Sequence, residues 1–154
     1  RYLRFGREKV PVVTTEQTPF EIGKADVYAD GADVAIIACG LMVYESLLAA
    51  KELEKNGVSA MVINCHTIKP IDTLTLTKSA KKCGAVITAE EHQINGGLGS
   101  AVAEVLGENY SVPMKRVGMN DVFGESGTPD ELLKKYGMNA AEIGKACQEV
   151  VKRK

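Results

Sequence analysis

The sequence predicts an α/β domain in which a mostly parallel sheet is covered by helices on both faces. From Asp33 onward, short apolar runs alternate with stretches of helical periodicity, which is the pattern of βαβ units. The runs are apolar at nearly every position, as in strands that are buried on both faces. The length of 154 residues is enough for one such domain and falls short of two.

Five segments are predicted to be strands. The first lies near Lys24 to Ala29, after a connecting stretch rich in Val, Thr, Pro and Glu. The other four are apolar runs bounded by glycine or polar residues. They span residues 33–39, 58–64, 85–90 and 113–118.

Five helices are predicted between and after these strands. Their start and stop signals are the N-cap candidates Asp72 and Thr128, and the stops Asn56-Gly57, Cys83-Gly84 and Gly137. The helices span residues 41–56, 72–82, 100–110, 130–136 and 140–152.

Composition and charge exclude several classes of protein. Hydrophobic residues make up 45% of the chain and charged residues 25%, which is ordinary for a globular domain and argues against disorder or a fibrous repeat. Nineteen basic and 20 acidic residues give a net charge of −1, so there is no basic patch suited to nucleic acid or an anionic membrane. The longest apolar run is far too short to span a bilayer.

The four cysteines are scattered along the chain and none forms a CxxC pair. Free thiols in a reducing cytoplasm are the interpretation that this spacing favours over disulfides or a metal site. We therefore expect a cytoplasmic location.

Candidate functional residues are expected where the parallel strands end. In an open parallel sheet, ligands bind beyond the carboxyl ends of the strands, where loops run into helix N-termini. Four loops meet this condition, at residues 39–40, 64–67, 90–93 and 118–121.

A glycine-rich loop, formed by Gly96, Gly97, Gly99 and Ser100, precedes the third helix. Such a loop resembles a phosphate cradle, because glycines let backbone amides approach an anion. It does not match a dinucleotide fingerprint, since Val102 stands where the third small residue belongs, and the strand is predicted to end six residues before it. Backbone packing or a domain interface is the favoured interpretation, and anion binding is the alternative.

The two histidines, His66 and His92, each follow a predicted strand. His92 comes directly after Glu90 and Glu91, and could act as a general base or take part in an interface. Three neighbours on an extended strand cannot all face one metal ion, so solvent or interface hydrogen bonding is favoured for His92. Cys65 and His66 are adjacent, and neighbours on a strand point to opposite faces, so they make a poor nucleophile pair.

Arginines at positions 1, 4 and 7 open the chain. If the segment is a strand, Arg4 and Arg7 lie on opposite faces, so one can pair internally while the other points to a ligand. Guanidinium is the natural bidentate partner of phosphate or carboxylate. A surface salt bridge is the alternative.

Four segments of the chain carry recognisable motifs. They are YLRFGREKVP at 2–11, HTIKPID at 66–72, EEHQINGGLGS at 90–100 and DVFGESGTPDELL at 121–133. Together they resemble the C-terminal part of the transketolase family, in the form in which the enzyme is split into two shorter chains. The second and third segments are similar to related thiamine-diphosphate enzymes as well, and the fourth resembles transketolase specifically.

The resemblance implies a three-layer α/β/α domain with a five-stranded mixed sheet whose first strand is antiparallel to the rest. It implies that residues 25–154 are this C-terminal domain, and that residues 1–24 are the last strand of a pyrimidine-binding domain plus a linker. Transketolases use thiamine diphosphate and Mg²⁺ to move a two-carbon ketol unit between sugar phosphates. Because the family binds these cofactors in its other domains, we expect this chain to bind none alone and to be inactive alone.

The resemblance also assigns a role to one arginine. Transketolases carry a substrate-phosphate arginine after a small residue near the end of the pyrimidine domain, and Phe5-Gly6-Arg7 matches this context. The role is therefore carried to Arg7, with Arg4 as a weaker candidate. The expected partners are the upstream pyrimidine-binding domain, an N-terminal diphosphate-binding subunit and a second copy in a dimer.

Two other functions remain open from the sequence. A free-standing anion- or nucleotide-binding module of the same fold would use residues 96–100. The C-terminal domain of a 2-oxoacid dehydrogenase β subunit would share residues 66–72, but would not account for residues 123–133.

Overall fold

Five strands form one sheet in the computed structural model, which describes residues 9–154. The strands are β1 (Asp26–Ala29), β2 (Val34–Ala38), β3 (Ala60–Asn64), β4 (Val86–Gln93) and β5 (Met114–Met119). Their order in the sheet is β1-β3-β2-β4-β5, with β1 antiparallel to β3 and all other pairs parallel. The predicted mixed sheet, with its first strand reversed, is confirmed.

Helices cover both faces of this sheet, so the predicted three-layer architecture is confirmed. The helices are α1 (Met42–Lys55), α2 (Thr73–Cys83), α3 (Leu98–Asn109), α4 (Pro129–Lys135) and α5 (Ala140–Val151). Alternate residues of the fully buried strand β2 face opposite layers: Ile36 belongs to the core shared with α1 and α5, and Ile37 to the core shared with α2 and α3.

Local capping signals place two of the helices where the sequence predicts them. Asp72 accepts a hydrogen bond from the Thr75 amide at the start of α2, and Gly84 ends that helix with a positive φ of 68°. Thr128 and Glu131 form a reciprocal capping box at the start of α4.

Two of the boundaries that differ from the sequence prediction lie beside the candidate loops. Strand β4 continues three residues beyond Glu90, because Gln93 pairs with Met119 of β5 after an irregularity in the ladder. Helix α3 begins at Leu98, two residues before the predicted start at Ser100. The gap between strand and glycine loop is therefore shorter than the sequence predicts.

Residues 9–24 approach the sheet at β1 as an extended, mostly exposed segment. Arg4 and Arg7, and the strand predicted for them, lie outside the described residues. Between residues 9 and 154, no helix has both the length and the apolar character needed to cross a membrane.

Candidate functional site

A crevice at the carboxyl edge of the sheet marks the candidate site. The chain leaves β2 toward β3 on one side and leaves β4 toward β5 on the other, so the strand order reverses between β2 and β4. Ligands of open α/β sheets bind at such a reversal. A cavity of about 430 Å³ lies there, lined by residues 39–41, Ile68, residues 90–92 and residues 96–98.

The floor of the crevice is a buried carboxylate, Glu90, whose exposed fraction is 2%. Its Oε2 accepts a hydrogen bond of 2.7 Å from the Leu98 amide, and its Oε1 accepts one of 2.8 Å from the Gly99 amide. These amides belong to the first turn of α3, which has no side-chain cap of its own. Glu90 therefore serves as an internal anion for the N-terminus of α3.

Gly97 allows this close approach of strand and helix. A Cβ atom at residue 97 would lie 2.0 Å from Glu90 Oε2 and 2.9 Å from His92 Nδ1. The backbone there is extended, with φ of −97°, so the requirement for glycine is one of space. Gly99 is also crowded, because its Cβ would lie 2.8 Å from both Thr88 Oγ1 and Arg116 Cδ.

The amides of the glycine loop are thus bonded within the chain. Besides the two amides that bind Glu90, the Gly96 amide donates to Ser100 Oγ at 2.8 Å. An external phosphate would have to displace a carboxylate held by two amides. His92, Gly96 and Gly97 line the crevice together, while Gly99 donates to Glu90 and Ser100 accepts from the Gly96 amide, so Glu90 occupies the position that an anion would take.

The sequence reasoning missed this role of Glu90. The signal that could have found it is a carboxylate at the end of the apolar run 85–89, eight residues before the uncapped start of a helix. A charged residue in a buried strand needs a partner, and free helix amides are one.

His92 lies on the rim of the crevice with 56% of its side chain exposed. Its Nδ1 is 2.6 Å from the carbonyl oxygen of Gln93 and 3.8 Å from Glu90 Oε2. Because a carbonyl only accepts, Nδ1 carries a hydrogen in this contact. This geometry suits an interface hydrogen bond on the outer side of the ring.

The thiols near the crevice are not activated. Burial, with a smaller effect from the Glu90 carboxylate, raises the pKa of Cys39 to about 12. Burial also raises the pKa of Cys65 to about 11. Since the thiolate is the nucleophile, these groups are inert at neutral pH. All four cysteines are free.

His66 follows the end of β3, and its ring contacts Thr67, Asp26 and Phe20. Its Nδ1 lies 3.0 Å from Thr67 Oγ1, and its Nε2 lies 3.4 Å from Asp26 Oδ2. The ring packs on Phe20 of the connecting segment, with ring centroids 4.7 Å apart. His66 thus contacts the segment that leads into the domain.

The described residues do not fit the cofactors that the resemblance implies. Glu90 and Glu91 are the charged groups lining the crevice, so it repels a diphosphate. Within residues 9–154, no group of three or more His, Cys, Asp or Glu side chains is placed to hold a metal ion.

The fold and the crevice define an α/β/α domain. At the carboxyl ends of its strands, the helix amides that would bind an anion are bonded to the domain's own Glu90 carboxylate. Comparison with known proteins then gives the family: the profile described as "Transketolase, C-terminal domain" matches residues 23–143. The chain belongs to the transketolase C-terminal domain family.

The relatives include subunits of split transketolases. The chain is 49% identical over 153 residues to the 6-deoxy-6-sulfo-D-fructose transketolase subunit SqwH of Clostridium sp. (strain MSTE9), covering 99% of this chain and 48% of the relative. It is 44% identical over 155 residues to a putative transketolase C-terminal section of Methanocaldococcus jannaschii, with coverage of 99% and 48%. The chain therefore spans about half the length of these relatives.

A solved structure supports the same family. A split-gene transketolase in an inactive β4 tetramer superposes with a TM-score of 0.92 at 49% sequence identity. The match covers 95% of this chain and 48% of that one.

Proposed function

We propose that this chain is the C-terminal domain of a split, thiamine-diphosphate-dependent transketolase that transfers a two-carbon ketol unit between sugar phosphates. The observation that carries the proposal is the 49% identity and TM-score of 0.92 to one half of a split-gene transketolase chain. The sugar phosphates of the pentose phosphate pathway are the proposed substrates, and the cytoplasm, where four free thiols stay reduced, is the proposed location.

The proposed role of residues 25–154 is structural. Glu90 occupies the helix amides that would hold a phosphate, and Cys39 is protonated at neutral pH. The cofactor sites then belong to an upstream pyrimidine-binding domain, joined through residues 1–24, and to a separate diphosphate-binding subunit. Thiamine diphosphate and Mg²⁺ bind only in that complete assembly.

Self-association is part of the same proposal. A relative that is 49% identical forms a β4 tetramer. A complete chain of this protein is therefore proposed to contact a second copy of itself, as a dimer or a larger symmetric assembly.

Arg7 is proposed to bind the substrate phosphate in the assembly, with Arg4 as the second candidate. Arg7→Ala should raise the KM for phosphorylated sugars far more than for unphosphorylated ones, because a hydrogen bond to a charged group contributes roughly 1.5–3 kcal/mol. Arg4→Ala is the matched variant. Equal effects of Arg7→Ala on both kinds of sugar would remove the phosphate role.

The deciding experiment measures ketol transfer from xylulose 5-phosphate to ribose 5-phosphate, with thiamine diphosphate and Mg²⁺. The chain of 154 residues alone should show no turnover. The same chain extended by its upstream half and mixed with the diphosphate-binding subunit should be active. Turnover by the 154 residues alone would overturn the structural role, and an inactive complete assembly would overturn the assignment to this reaction.

The anion-binding module loses its main support in the structure, since residues 96–100 bind their own carboxylate. Calorimetry of the chain with phosphate, nucleotides and sugar phosphates tests it directly. Tight binding of any of them would revive this alternative.

A further inference from the structure

The loop after β5 presents an aromatic side chain to solvent. Phe123 is 98% exposed and its neighbour Val122 is 53% exposed. A ring left this exposed forgoes the stabilisation that burial of its apolar surface would supply. Exposed aromatic residues of this kind serve as anchors at protein interfaces.

The loop is held in place around this ring. Tyr136 Oη donates to the Phe123 carbonyl at 3.3 Å, and Lys135 Nζ lies 2.6 Å from Glu125 Oε2. Asp121, at the base of the loop, adopts a positive φ of 48° and accepts a 2.8 Å hydrogen bond from Gln93 Nε2. The backbone around Phe123 is thus held by contacts before and after this residue, so less conformational entropy is lost when the ring binds a partner.

Phe123 lies far from the place where the rest of the polypeptide joins the domain. The connecting segment reaches the sheet at β1, and the loop follows β5 at the opposite edge. Four strand spacings separate these edges, which is roughly 19 Å at about 4.8 Å per spacing. The Phe123 loop and the connecting segment thus lie at opposite sides of the sheet.

An apolar crevice lies beyond the carboxyl ends of the strands, as the Phe123 loop does. The crevice between β2 and β4 has a volume of about 430 Å³ and an apolar wall formed by Leu41 and Ile68. Ile68 is 41% exposed, so this wall is open to a partner. Of the loop carboxylates, Glu125 is paired with the cationic Lys135, whereas Asp121 is bonded to the neutral Gln93 amide and keeps its charge.

We propose that Phe123 of one copy inserts into the crevice of a second copy, and that the second copy returns the same contact. This inference rests on the self-association in the proposed function and names the surface that mediates it. A two-fold contact requires that the inserted residue and the crevice that receives it occur on the same chain. The Phe123 loop and the crevice meet this condition, because both lie at the carboxyl ends of the strands.

Photo-crosslinking tests the contact in the complete chain, purified with its partner subunit. Phe123 is replaced by p-benzoylphenylalanine, and irradiated samples are separated by mass and mapped by mass spectrometry. We expect a covalent dimer that joins position 123 of one copy to residues 39–41, 68 or 91–98 of the other. Crosslinks to the partner subunit or to the upstream half, or no crosslink at all, would overturn the proposal.

Substitutions on both sides of the contact test its strength. Phe123→Ser and Ile68→Arg should each weaken self-association about tenfold in sedimentation, which is the effect of about 1.4 kcal/mol. Phe123→Leu is the conservative control and should restore most of the affinity. The double variant should lose no more affinity for self-association than either single variant, because both substitutions remove the same contact. Additive losses of affinity would contradict the proposal.

Circular dichroism melting confirms that each variant is folded, since both positions are exposed. Ketol transfer is measured separately. An active assembly without the crosslink overturns this interface alone, and a crosslinked but inactive assembly overturns the proposed reaction alone.

Discussion

Gly97 allows the start of α3 to pack closely against Glu90 of β4. Gly97→Ala would place a Cβ 2.0 Å from Glu90 Oε2, so the carboxylate or the helix must shift. We expect a loss of roughly 1–3 kcal/mol in the free energy of unfolding, the usual cost of overpacking. Urea denaturation monitored by circular dichroism measures it.

Gly107→Ala is the matched control in the same helix, since a Cβ there meets nothing within 4 Å. It should stabilise the protein by about 0.5–1 kcal/mol, because alanine is the better helix former. Equal behaviour of the two variants would show that Glu90 is not lodged against Gly97.

Asp72 couples the connecting segment to α2 and predicts a pH dependence of stability. It accepts hydrogen bonds from the Thr75 amide, the Thr75 hydroxyl and the Ala25 amide. Burial acts to raise the pKa of Asp72, but these bonds outweigh it and hold the pKa below the usual range. Its stabilisation is therefore fully present above the pKa of an unfolded Asp and is lost as pH falls through the folded pKa.

Asp72→Asn should remove this dependence. Asparagine keeps an N-cap oxygen but turns its amide toward the Ala25 N–H, which leaves a buried donor unpaired at a cost of about 1–3 kcal/mol. The difference from the parent chain, measured by urea denaturation across pH, should be largest at neutral pH and shrink in acid. Asp130→Asn, at an exposed position, is the control; a difference that does not vary with pH would contradict the assignment.

At the scale of elements, the N-terminus of α3 is an anion site that the protein fills itself. Glu90→Ala frees the Leu98 and Gly99 amides, and we expect a loss of roughly 1.5–3 kcal/mol, the contribution of a hydrogen bond to a charged group. Formate or acetate should then raise the melting temperature of this variant by occupying the vacated site.

Two controls distinguish this rescue from a general salt effect. Chloride at equal ionic strength should not reproduce it, and Glu90→Gln should not respond, because its side chain still fills the space. If formate stabilised the parent chain as much as it stabilised Glu90→Ala, the Leu98 and Gly99 amides would be available without the substitution. That result would contradict the role of Glu90 as the anion bound by these amides.

The elements whose signals are local could be predicted from the sequence. Asp72 and Gly84 bound α2 by their own side chain and backbone preferences, and both were recognisable. The start of α3 was not, because its cap is a residue on a different element. The end of β4 was missed because Glu91 and His92 are polar, and the strand resumes its pairing with β5 only at Gln93.

The candidate site shows the same division between local and non-local information. The alternation of predicted strands and helices along the chain placed His92 just after a strand and the glycine loop just before a helix, at the carboxyl ends of the strands. It could not show that the loop amides bind Glu90, since that depends on how closely β4 and α3 approach. An exposed Phe123 is equally invisible, because only the folded loop shows that the ring has no place in the core.

At the scale of the whole molecule, we expect residues 9–22 to be separable from the rest of the described chain. Between residues 9 and 24, Val13 packs partly against the core and Phe20 stacks on His66. An aromatic pair contributes about 0.5–1.5 kcal/mol beyond its buried area. The rest of this segment is mostly exposed and makes little contribution to the domain.

A chain shortened to residues 23–154 should therefore still fold. It keeps the Ala25 amide that binds Asp72, and its unfolding in urea should stay cooperative. We expect its free energy of unfolding to fall by roughly 0.5–1.5 kcal/mol, on the scale of the aromatic contact it loses. Phe20→Ala in the longer chain should account for most of this loss. A shortened chain that melts without a cooperative transition would mean that residues 9–22 belong to the domain itself.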